Sequence, residues 1–101
     1  MIEYQQEAVK TRQPSCDLTY LLGKLQIEAG EAFQIWLKHV YHNKPMDRAA
    51  LIDELSDVFW YLANSADLLG VTLSDIASTN IHKLRARHGD SYNAAHYTGG
   101  Q

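Results

Sequence analysis

The sequence predicts an all-α fold, a bundle of four helices, and three observations carry that expectation. Apolar residues recur at helical spacing through most of the chain. No stretch alternates polar and apolar residues with the period of two that a half-buried strand needs. The punctuation is sparse: Pro14, Pro45, Gly70 and a Gly-Gly pair near the end divide the chain into helical stretches.

The first helix is expected over residues 2–11, ended by Gln13-Pro14-Ser15. The second is expected over 18–41. Asp17 suits its N-cap because a carboxylate there accepts from free backbone N–H groups, and Leu18, Leu21, Leu25, Ala32, Ile35 and Trp36 form its apolar series. Asp47, after Pro45, caps a third helix over 48–69, with Leu51, Leu55, Val58, Leu62, Ala66 and Leu69 as its stripe. Gly70 suits the left-handed position that closes a helix. The fourth is expected over 73–87. Thr72 and Asp75 stand at capping-box spacing, Leu73, Ile76, Ala77, Ile81 and Leu84 face inward, and Asn80 falls on the same side. Residues 89–101 read as a polar tail to a single domain spanning 1–101. The short link between the two long helices requires them to pack antiparallel.

Composition excludes several functions. The formal charge is −3, with both signs interspersed, so there is no clustered basic surface for duplex nucleic acid and no polybasic anchor for a membrane. No apolar run reaches the length of a membrane span, and the N-terminus lacks the basic and apolar regions of a secretory signal. Cys16 is the sole cysteine, which rules out an intrachain disulfide and fits a reducing cytoplasm. A domain of 101 residues buries a modest share of its surface. Phe33, Phe59 and Trp60 lie off the main stripes, so a second copy is expected to cover them.

The chemistry lies where acids interrupt the apolar stripes. Glu28 takes a core-facing position in the second helix, and Glu31, three residues on, shares nearly the same face. Gly30 between them hints at a close approach by backbone or ligand, because glycine within a helix costs about 1 kcal/mol relative to alanine. Glu54 and Asp57 repeat the spacing on the third helix. One acid on a helix is ordinarily solvated, and E-x-x-E alone is common. Two such pairs bordering apolar stripes on neighbouring antiparallel helices would instead repel and raise each other's pKa values. A divalent cation resolves that conflict, and oxygen ligands favour Mg²⁺ or Mn²⁺ over zinc. His39 and His42 invite a metal reading too, but no third ligand accompanies them, and histidine near a helix C-terminus answers the helix dipole.

Glu28-Ala29-Gly30-Glu31, followed by Glu54-Leu55-Ser56-Asp57-Val58-Phe59-Trp60-Tyr61-Leu62, resembles the MazG-like all-alpha nucleoside triphosphate pyrophosphatases, whose pattern ends in an E-L-G-D-V-x-W-Y-L-like block. Asn80-Ile81-His82-Lys83-Leu84-Arg85-Ala86-Arg87 resembles their fourth helix, and Glu3-Tyr4-Gln5 with Thr11 resembles the first helix of the short phage-type members. The likeness covers about residues 2–88. Two positions depart from it: Ser56 stands where the family often has Gly, and Ile27 where some members carry a further Glu, which leaves one or two metals per site open.

The resemblance implies an intertwined homodimer or a dimer of dimers, hydrolysing a (d)NTP between its α and β phosphates to monophosphate and pyrophosphate. Glu28, Glu31, Glu54 and Asp57 then carry over as Mg²⁺ ligands, with Glu31 or Glu54 as the base. Lys83 and Arg87, one turn apart, are expected to grip phosphates. Lys38, two turns beyond Glu31, meets phosphate on the same reading. Tyr61, one turn after Asp57, stacks on or hydrogen-bonds the nucleotide, or else packs a dimer. Asn80 holds a metal ligand or the sugar, or is a satisfied core residue. A related phosphoribosyl-ATP pyrophosphatase and a catalytically silent helical interaction module are the alternatives.

Overall fold

The computed structural model of the protein describes residues 2–89. It contains α1 (Ile2–Lys10), α2 (Leu18–Tyr41), α3 (Arg48–Leu68) and α4 (Leu73–His88), with no strand among the described residues. The caps form as the sequence dictates. The Asp17 carboxylate accepts from Tyr20 N, the Asp47 carboxylate from Ala50 N, and Thr72 and Asp75 close a reciprocal capping box. Gly70, at φ 76°, takes the left-handed conformation that ends α3.

The helix ends shift by a residue. Thr11 falls outside α1, its hydroxyl donating to Ala8 O at 2.7 Å. Leu69 becomes the cap of α3, and α4 runs on to His88. Beyond Gly89, the tail expected from the sequence lies outside the described residues.

Packing is unequal along the chain. α2 lies against α3 alone, whereas α1 packs on both α3 and α4. The buried cluster of Ala8, Ala63 and Leu73, with Phe59, Trp60 and Leu62 against it, sits where α1, the end of α3 and the start of α4 meet. Buried Gln5 ties that junction together. Its Nε2 donates to Ala63 O at 3.2 Å and Val71 O at 3.1 Å, and its Oε1 accepts from Leu73 N at 3.0 Å. The last bond satisfies one of the free N–H groups that begin a helix. Arg12 fastens the end of α1 through Asp67 at 3.0 Å and Asn64 Oδ1 at 3.0 Å, and Trp60 Nε1 donates to Thr11 Oγ1 at 2.8 Å.

Several residues expected to face inward do not. Leu55, Leu69 and Ile81 are 53%, 61% and 45% exposed, and Ala77 is exposed as well. Among the described residues α4 packs only on α3 and α1, and α2 only on α3, so these positions have no further helix over them. No described helix is long and apolar enough to cross a membrane.

Candidate metal centre

Helical periodicity aligns Lys24, Glu28, Glu31, Ile35 and Lys38 on one face of α2. On α3 it aligns Asp47, Ala50, Glu54, Asp57 and Tyr61. Antiparallel packing sets the two rows against each other, so Glu28 comes beside Asp57 and Ile35 beside Ala50. Carboxylate oxygens of Glu28, Glu31 and Glu54 lie within 4.8 Å of one another. Those of Asp53, Glu54 and Asp57 form a second group within the same distance, so Glu54 belongs to both. The four acids singled out from the sequence, together with Asp53, thus form two overlapping trios, and Asp53 is the member that periodicity overlooked. It immediately precedes Glu54 and projects from a neighbouring face, so a search along one stripe passes it by.

Burial is graded across the cluster. The Glu28 side chain keeps 12% of its exposure, Glu54 is half-buried, and Glu31 and Asp57 are open to solvent. Lys24, one turn before Glu28, approaches it at 3.7 Å. Glu54 Oε2 is shut off from solvent and has no hydrogen-bond partner. Its carboxyl is pushed up to about 7, first because Glu28 shares a hydrogen bond that needs the proton, then through desolvation and repulsion from Glu31 and Glu28. Desolvation, then Asp53 and Glu28, raises Asp57 as well. Without a cation Glu54 is therefore only partly ionised near neutral pH.

These observations fit a divalent ion. An orphaned, closed-off carboxylate oxygen sits among acids that repel each other, and every donor is a hard oxygen. No histidine takes part in such a group among the described residues. His39 Nδ1 lies 2.8 Å from Lys44 O, and its ring sits tilted against Trp36 with centroids 5.3 Å apart, so this histidine serves the α2–α3 loop.

Beside the acids, Glu28, Asp57, Trp60 and Tyr61 line an open pocket of about 310 Å³. Tyr61 is pushed up to about 12 by burial, then by its neighbour Tyr20, whose ring meets it edge-on at 6.4 Å. Its hydroxyl therefore stays a donor at any physiological pH. Tyr20 had no periodic signal of its own in the sequence, because it stands in the first turn of α2, outside the apolar series.

The remaining expectations divide. Lys38 lines a pocket farther along the same α2–α3 groove. Asn80, Lys83 and Arg87 are exposed on α4, which packs on α3 and α1 but not on α2. Asn80 is not inward-facing, because no helix among the described residues covers that side of α4. Gly30 is exposed and a Cβ there meets nothing within 4 Å, so no close backbone approach among the described residues explains it.

The family model described as the MazG nucleotide pyrophosphohydrolase domain matches residues 18–91, the greater part of the chain. No curated protein and no solved structure matches.

Proposed function

Because the chain belongs to the MazG nucleotide pyrophosphohydrolase domain family, we propose that it is a Mg²⁺-dependent nucleoside triphosphate pyrophosphohydrolase. It converts a (d)NTP and water to the monophosphate and pyrophosphate. The observation that carries the reading is Glu54, whose unpartnered Oε2 lies inside a cluster of repelling carboxylates. Such an oxygen is costly to bury unless a ligand completes it.

Glu28, Glu31, Glu54 and Asp57 hold the ion in this reading. Bound there, Mg²⁺, or Mn²⁺ in its place, offsets phosphate charge and acidifies water. Glu31, open to solvent, or Glu54, at the centre, accepts the proton of the attacking water. The Tyr61 hydroxyl donates to the nucleotide, and the Tyr20–Tyr61 edge bounds its nucleoside side. Lys38, Lys83 and Arg87 hold phosphate charge, and Asn80 contacts the sugar or a metal ligand. Clearing unwanted nucleotides from a cytoplasmic pool is the role that accompanies this activity.

The proposal includes a homodimer, alone or paired into a tetramer. Leu22, Phe33, Trp36 and Val40 form one stripe of α2, are between 42% and 58% exposed, and lie on a helix that packs only on α3. Exposed apolar side chains along one helix stripe suit an interface, and the matching stripe of a second copy covers them. Light scattering at micromolar concentration tests this: a dimer or tetramer is expected, a Phe33→Asp variant shifts toward monomer, and a monomeric wild type refutes it.

A panel of nucleoside triphosphates, run with Mg²⁺ and in excess chelator in ¹⁸O-labelled water, tests the activity. Label in the monophosphate with pyrophosphate released supports the proposal. Diphosphate with labelled inorganic phosphate overturns it in favour of attack at the γ phosphorus. Turnover of phosphoribosyl-ATP alone would assign the chain to that related activity. No turnover with any substrate would leave a silent module.

A further inference from the structure

We infer that the groove between α2 and α3 reads a nucleoside triphosphate in one direction: nucleoside toward Tyr61, polyphosphate tail toward a cationic pocket at the α2–α3 loop. The inference rests on the proposed pyrophosphohydrolase reading and adds the subsite that takes the β and γ phosphates.

The groove has unlike ends. Along the facing rows the order is Tyr61 with Lys24, then Glu28 and Asp57, then Glu31 and Glu54, then Ile35 and Ala50, then Lys38 and Asp47. At the Tyr61 end the walls are aromatic, and the one nearby cation, Lys24, is already turned to Glu28. At the other end an open pocket of about 570 Å³ is lined by Lys38, Lys44 and Arg48 together with Ile35 and Met46. None of these three cations has a carboxylate within ion-pair distance among the described residues. The single acid of this pocket, Asp47, spends a carboxylate oxygen on Ala50 N as the α3 cap. That carboxylate offsets the N-terminal end of the α3 dipole, and three cations against one acid leave the pocket lining net positive. The loop is held in place by His39 against Lys44 O.

Reach agrees with this orientation. Lys38 lies seven residues beyond Glu31, about 10 Å along the helix. A lysine stem folding back spans much of that interval, and the β and γ phosphates extend from a centre held at the acids to meet it. Ile35 and Ala50 between the two regions carry no charge, so the next charges that a polyphosphate meets along the groove are the cations. In the reverse direction the tail would run past Asp57 and Glu28 to an aromatic wall, with like charges opposing it.

Inorganic tripolyphosphate is the probe, because it carries the tail without the nucleoside. Titration calorimetry with excess Mg²⁺ is expected to show wild-type binding, weakened at least tenfold in Lys44→Ala/Arg48→Ala. The same variant should raise KM for the triphosphate at least tenfold while leaving inhibition by the nucleoside monophosphate unchanged. Tyr61→Ala should do the converse, weakening the monophosphate and sparing tripolyphosphate. No tripolyphosphate binding by the wild type, or equal losses for tripolyphosphate and monophosphate in the lysine–arginine variant, overturns the inference. Tripolyphosphate binding with no hydrolysis of any triphosphate instead overturns the proposed activity alone. Lys44 and Arg48 are exposed, and unchanged circular dichroism and melting of the variant confirm that only the pocket was altered.

Discussion

The two halves of α3 differ in kind. In its C-terminal half, residues 63–66 are buried where α1 and α4 converge, and there the polar side chains find partners: Gln5 makes three hydrogen bonds, Arg12 joins Asn64 and Asp67, and Asn64 Nδ2 donates to Trp60 O. Its N-terminal half faces α2 alone, and there the polar side chains conflict: acids crowd within 4.8 Å and Glu54 keeps an oxygen without a partner. One helix thus carries a satisfied junction that fixes the fold and an acidic cluster that the described residues leave unsatisfied. Satisfied buried polar groups specify geometry; unsatisfied ones mark where the chain is incomplete by itself.

The largest expected effect breaks the cluster. Glu54→Gln and Asp57→Asn each lower turnover at least about a hundredfold, by analogy with losing one charged stabiliser of the transition state, while circular dichroism stays unchanged. A near-normal rate at saturating Mg²⁺ would remove the altered residue from the site.

The junction gives the next effect. Gln5→Ala leaves two carbonyls and one N–H without their side-chain partner in a buried setting, at a cost of about 2 kcal/mol. Thermal melting should register this as a fall of roughly 10 °C. A loss as small as that of an exposed alanine substitution would show that the junction is not the anchor.

The comparison sharpens with pH. Glu54 is held near 7 in the folded, metal-free chain, against an ordinary value of 4.5. Between those values the folded state keeps a proton that the unfolded state has released. The stabilisation is full below about 4.5 and is lost as pH rises through 7. In chelator, the melting temperature should therefore fall across this window, and Glu54→Gln should flatten the fall. Excess Mg²⁺ should reverse the trend by favouring the ionised form. A chelated wild type that gains stability from pH 4.5 to 7 contradicts the assignment.

The smallest effect lies at the helix ends, common to both halves. Asp17→Ala removes the bond from Tyr20 N at 2.8 Å, a loss of about 1 kcal/mol. It should lower the melting temperature without altering the pH slope.

What the sequence determined by itself is local. The helices, their caps, the left-handed Gly70 and the i, i+3 acid pairs all follow from spacing along one chain, because a helix is set by contacts within four residues. The alignment of Glu28, Glu31, Glu54 and Asp57 on facing stripes was legible for the same reason. What needed tertiary structure was everything fixed by residues far apart in sequence. Tyr20 reaches Tyr61, and Glu54 meets Glu28 and Glu31, only once α2 lies on α3. Gln5, an ordinary polar residue in the sequence, becomes buried only when two helix ends 58 and 68 residues away present their backbone groups to it. Leu55, Leu69, Ala77, Ile81 and Asn80 obey the period yet stay exposed or half of their stripe unfilled, because periodicity states which face a residue shares and not whether another helix arrives to cover it. That last decision belongs to packing, and among the described residues no further helix covers the outer side of α2 or the outer part of α4.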